Sequence, residues 1–149
     1  MIINRYLILF FVLLSGFLSS CSKGPDPRLT LCQDLGQMLL GVADNNIEWT
    51  GHKPVIKGYQ DLEMQVAFSF TDEHGQQSQG QAACFYPYEQ DDIGAETFEM
   101  PTAAYSTYPV KMVLNGKIID KKLLAQSINK VMIMQGKRAI ENLQEKLKR

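Results

Sequence analysis

Chemistry in this chain would have to come from a short list of side chains. There are three cysteines, Cys21, Cys32 and Cys84, and two histidines, His52 and His74. No two cysteines stand in a C-x-x-C spacing, so neither a redox dithiol nor a zinc knuckle is expected. Each histidine lies beside a glycine, Gly51 or Gly75, in a stretch that reads as a turn, and the sequence gives neither a catalytic partner. Asp61 and Glu63 stand at i, i+2, one face of a strand, the arrangement that paired carboxylates would need for acid–base work on a glycosidic bond. A solvated strand face is the simpler reading. Glu89, Asp91, Asp92, Glu96 and Glu99 form an acidic stretch without the spacing of a helix–loop–helix calcium site. The thioethers of seven methionines would suit cuprous copper, but Met38, Met64 and Met112 fall on expected core faces, and Met132 and Met134 do not share a helix face. No metal and no cofactor is expected.

The motifs of nucleophilic or phosphate chemistry are missing. The chain has no G-x-S-x-G, no S-x-x-K, no H-E-x-x-H and no glycine-rich phosphate loop. Its 149 residues carry 15 Lys+Arg against 16 Asp+Glu, a net charge of −1, which removes the electrostatic case for nucleic-acid binding. Hydrophobic residues at 45% and charged residues at 21% describe one globular domain rather than a disordered chain.

The amino terminus is the most informative segment. Arg5 precedes an uncharged, largely apolar run, Tyr6 to Leu18. Thirteen residues is short of the ~20 that span a bilayer and matches the core of an export signal. The run ends in Leu18-Ser19-Ser20-Cys21. This resembles the lipobox of bacterial lipoproteins, [LVI]-[AST]-[GAS]-Cys, and the resemblance covers only these first 21 residues. It implies that the Cys21 thiol receives a diacylglycerol, that the chain is cut before Cys21, and that the new amino group is acylated. Several acyl chains give stable anchoring where one alone binds marginally. In Gram-negative lipoproteins of this class an Asp after the cysteine tends to hold the protein at the inner membrane. Ser22 therefore implies the outer membrane, with the domain on its periplasmic face. The expected layout is a signal over 1–20, a lipidated cysteine and polar tether over 21–26, and one domain over 27–149.

Once Cys21 is acylated, Cys32 and Cys84 remain as a pair in an oxidising compartment, and a disulfide between them is expected. The domain reads as α+β. Asp26-Pro27 starts a helix as N-cap and first residue, and Gly41 stops it. Ile47–Trp49 reads as a short strand, broken by Gly51–Pro54, with another beginning over Val55–Tyr59. Leu62–Thr71 alternates cleanly between apolar and polar, and Ser78–Tyr88 returns antiparallel with Ala82, Cys84, Tyr86 and Tyr88 on one face. Asn115-Gly116 between apolar runs signals a hairpin. Asp120 caps a long helix whose broad apolar face, Leu124, Ile128, Val131, Met132, Ala139 and Leu143, is expected to lie on the sheet, with a bend at Gly136. The architecture is thus an N-terminal helix, an antiparallel sheet of four to five strands, and a long C-terminal helix on one face.

Two surface features point to partners. Tyr86, Tyr88, Tyr105 and Tyr108, with Pro87 and Pro109, flank the acidic stretch and would suit a rim for a protein or glycan. Lys117–Arg149 carries nine basic and three acidic residues, whereas Cys21–Gly116 carries five basic and thirteen acidic. A basic helix of this kind suits anionic headgroups or an acidic partner, or is simply a solvated face. The expected function is a binding or accessory module for an envelope complex or the cell wall, anchored in the bilayer through Cys21. The alternatives are a small-ligand carrier with a pocket between sheet and C-terminal helix, and a hydrolase of envelope polymers.

Overall fold

A computed structural model describes residues 25–56, 61–72, 74–89 and 104–148. Local sequence chemistry explains most of the element boundaries. The Asp26 carboxylate accepts the Arg28 backbone N–H at 2.9 Å and Pro27 opens helix α1, Pro27–Leu40. Gly41 ends it in the left-handed region, φ 68°, where glycine has no Cβ to clash. Asp44–Asn46 makes one 3-10 turn and leads into the sheet.

Five strands follow in a meander whose spatial order is the chain order: β1 Ile47–Ile56, β2 Leu62–Thr71, β3 Gln77–Tyr86, β4 Lys111–Leu114 and β5 Lys117–Ile118, all antiparallel. β2 keeps the alternation of its sequence: Leu62, Met64, Val66 and Phe68 are buried, while the intervening Glu63, Gln65 and Ala67 lie on the other face. At the β2–β3 turn the Asp72 carboxylate accepts the N–H groups of His74 and Gln76. Phe68 is paired directly with Gly80, and its ring fills the space a side chain there would need: a Cβ on Gly80 would clash with Phe68 Cε2. Asn115 and Gly116 turn β4 into β5 with φ of 48° and 78°, both in the left-handed region a two-residue hairpin loop requires.

Two expectations are corrected. β1 is one strand rather than two. The register slips between Trp49 and Gly51, so a bulge leaves Thr50 unpaired while Gly51 pairs with Ala67, and Pro54 sits in an edge strand that bonds on one side only. The continuation to Tyr59 lies outside the described residues.

The second correction concerns the C-terminal helix α2, Lys121–Leu147. Asp120 caps it, accepting from the N–H groups of Lys122 and Leu123, and it runs uninterrupted through Gly136. Leu124, Ser127 and Val131 are buried, and Ile128 and Met134 pack half-buried against the core. Met132, however, is 41% exposed, Leu143 is 61% exposed, and Ala139 also faces solvent. The expected apolar face is therefore split. α2 rests mainly on α1, with a smaller contact on the short strand β4, and these cover only the part of its circumference that carries Leu124 and Val131. Periodicity reports which residues share a side, not how much of that side a neighbour covers.

The core joins α1 to the inner sheet face. Leu31, Cys32 and Leu35 meet Met64, Val66, Ala82, Cys84 and Met112. Cys32 and Cys84 are bonded, with Cα atoms 5.9 Å apart and neither sulfur exposed. Val131→Asp should lower stability by several kcal/mol through an unpaired buried charge, whereas Met132→Asp should cost under about 1 kcal/mol. Thermal melts of the two variants check this, and equal losses would show that α2 is docked differently.

Candidate functional site

The candidate site is the end of the domain where the chain enters from Cys21. It is organised by Arg28, the second residue of α1. A cation there opposes the helix dipole, so its place must be secured by tertiary contacts. The side chain is 8% exposed. Its Nε donates to the Ser106 carbonyl at 2.9 Å and its Nη2 to the Tyr105 carbonyl at 2.6 Å. Its Nη1 lies 3.3 Å from both carboxylate oxygens of Asp26. Asp26 thus caps α1 and also neutralises the guanidinium beside it.

Tyr86, fully buried on β3, donates its hydroxyl to the Arg28 carbonyl at 2.7 Å. Burial pushes this phenol well above its ordinary range, Asp26 pushes the same way and Arg28 opposes, so Tyr86 stays a neutral donor. Past β3 the chain remains paired. Tyr88 bridges Tyr105, with Ser106 N–H donating to the Pro87 carbonyl and Glu89 N–H to the Ala104 carbonyl, each at 2.8 Å. The Tyr88 and Tyr105 rings meet edge to face with centroids 5.5 Å apart. Burial raises the Tyr105 phenol, with a smaller contribution from Tyr88. The result is a clamp: one guanidinium binds the first turn of α1 to the 104–106 segment, and Tyr86 ties that turn to the sheet.

The four tyrosines therefore do not form one binding surface. Tyr86 and Tyr105 are buried, Tyr88 is half-buried, and only Tyr108 presents an exposed ring, 47% accessible. Alternation along β3 turns Tyr86 inward with Cys84, and its aromatic body and donor hydroxyl are both used in packing.

The other sequence candidates are dispersed. His52 is exposed on β1 and His74 in the β2–β3 turn. Asp61 is exposed before β2, and Glu63 accepts a hydrogen bond from Gln65 at 2.8 Å. Met64 and Met112 are buried and Met38 is half-buried. Asp91, Asp92, Glu96 and Glu99, like Cys21, lie outside the described residues. Among the described residues no three His, Cys, Asp or Glu side chains are grouped to hold a metal.

A second feature, not foreseen, joins the helices. Asp34 of α1 accepts Gln135 Nε2 at 2.7 Å and Arg138 Nη1 at 3.4 Å. Beside it Gln37, Met38, Val42 and Met134 line an open groove of about 200 Å³. Comparison with protein-family models, curated proteins and solved structures finds no match.

Arg28 is absent from the sequence candidates, although its location in a helix's first turn was a usable signal. Arg28→Met should leave the Asp26 carboxylate and the Tyr105 and Ser106 carbonyls without their partner, at a cost of about 3–5 kcal/mol. Chemical denaturation should show it, with hydrogen exchange rising first at residues 104–106. A loss under about 1 kcal/mol would mean that the clamp carries no load.

Proposed function

We propose that this chain is a lipid-anchored envelope lipoprotein whose domain serves as a binding or accessory module on the periplasmic face of the outer membrane. The observation that carries the reading is Leu18-Ser19-Ser20-Cys21 behind an apolar run, four residues ahead of the first described residue, Pro25. Three structural features support it. The disulfide suits an oxidising compartment. The Arg28 clamp braces the point at which an anchored tether would pull on the domain. No described helix is long and apolar enough to cross a membrane, so a covalent lipid would be the means of attachment for the described part.

A binding role is favoured over the two alternatives. Leu124, Val131 and Met112, which a carrier pocket between sheet and C-terminal helix would need to open, are at most 2% exposed and belong to the closed core. Of the carboxylates a hydrolase would use, Asp61 is exposed just before β2, while Glu63 is half-buried on β2 and accepts a hydrogen bond from Gln65. The partner is an envelope protein or the cell wall.

The experiment compares the chain with its Cys21→Ala variant in a diderm bacterium. The original should fractionate with outer membranes and, after crosslinking and detergent extraction, bring down an envelope protein or wall fragments. The variant should leave the membrane fraction. Identical fractionation of the two contradicts the anchor, and a crosslinked chain that comes down alone contradicts the binding role.

A further inference from the structure

Helix α2 has a second apolar face that the described residues leave exposed. Met132, Ile133, Ile140, Leu143 and Leu147 are 41%, 61%, 58%, 61% and 86% exposed. At about 100° per residue these five, with Gly136 and Ala139, fill an arc of about 120°. That arc points away from Leu124, Ser127 and Val131, which face the core. Exposed lysines edge it on both sides: Lys146 on one, and Lys130, Lys137 and Lys148 on the other. Glu141 and Glu145 lie farther round toward the docked side. An apolar arc bordered by lysines is the pattern of a helix lying in a membrane interface, with the side chains in the acyl boundary and the ammonium groups among anionic headgroups.

The described chain begins at the same end. Pro25 and Pro27 line one hollow together with Gln135, Arg138, Ala139 and Asn142, so the chain enters the domain against the second half of α2. Cys21 is four residues before Pro25, which limits the reach to about 14 Å. The outward arc, about 20 Å long, is thus held within reach of whatever surface holds Cys21.

We propose that the Met132–Leu147 face of α2 is a second membrane contact, seated on the anionic leaflet that carries the Cys21 anchor. The inference rests on the lipoprotein reading above. A second copy of the chain is the weaker occupant. Ile133, Gly136, Ile140, Leu143 and Leu147 have coiled-coil spacing over only about two heptads, short of the three to four that signal a coiled coil. One seam position is glycine, and flanking Lys137 and Lys146 offer a twin no acidic partners. Two contacts, one covalent and one amphipathic, would fix which side of the domain faces the periplasm.

The test holds the chain from residue 22 onward on vesicles by an N-terminal histidine tag and a nickel-chelating lipid; every core residue lies downstream of that point. With Cys32 and Cys84 bonded, Ile140→Cys supplies the thiol for an environment-sensitive fluorophore. On phosphatidylethanolamine vesicles with about one quarter phosphatidylglycerol, the emission should shift to the blue and rise severalfold, and Lys137→Glu with Lys146→Glu should weaken the change. The same probe at Thr50→Cys, on the sheet, should stay water-like. Water-like emission at position 140 on these vesicles overturns the proposal. So does a blue shift without vesicles that accompanies dimer sedimentation, which would assign the face to a second copy. The chelated tag stands in for Cys21, so the result does not depend on acylation and failure here leaves the anchor standing. Loss of the anchor in cells likewise leaves this result standing.

Discussion

The Cys32–Cys84 bond is the constraint on which the rest of the domain depends. It joins the middle of α1 to the third strand, at the register where Met64, Cys84 and Met112 stand side by side across β2, β3 and β4. Closing the 52-residue separation removes chain entropy from the unfolded state worth ~4 kcal/mol in the loop-closure model. For a domain of this size that is a large share of a net stability of ~5–15 kcal/mol. With α1 held over the sheet centre, Leu31 and Leu35 close the inner face, and α2 can settle against α1 rather than having to cover the sheet itself. Such a bond persists where thiols are not kept reduced, in keeping with the proposed export.

Around that fixed centre the two ends of the domain are built differently. At the tether end a buried guanidinium is fully engaged by two carbonyls and a carboxylate. Breaking it is costly because the groups left behind are desolvated. At the sheet's outer edge, β1 carries a bulge and a proline, features that spoil an edge for pairing with another chain. The buried polar contacts of Arg28 thus lie near the point where a proposed anchor would apply force, and the longer of the two sheet edges is unsuited to pairing with another chain.

Much of the fold could be read from local chemistry, since each boundary has a cause within a few residues. Asp26-Pro27, Gly41, Asn115-Gly116 and Asp120 name their caps and turns directly, and the alternation from Leu62 to Phe70 sets the buried face of β2. What could not be read depends on coverage. The same composition that suggests a break at Gly51–Pro54 is tolerated in a continuous edge strand. The wheel that groups Leu124 with Met132 and Leu143 cannot tell which of them α1 reaches. Tyr86 and Tyr105 have the residue type of a binding rim, yet their positions along the chain place both inside. Arg28 is hidden for the opposite reason: nothing local names the partners that bury this charged residue, which are 77 and 78 positions away.

Export, cleavage before Cys21 and acylation there are proposed together with closure by the one disulfide. The intact mass of the protein extracted from cell envelopes without reductant tests all four parts together. The predicted mass is that of Cys21–Arg149 plus a thioether-linked diacylglycerol and an N-acyl group, less the hydrogens lost in closing the Cys32–Cys84 bond. A mass that begins at Met1, that lacks the acyl groups, or that retains both thiols would contradict it.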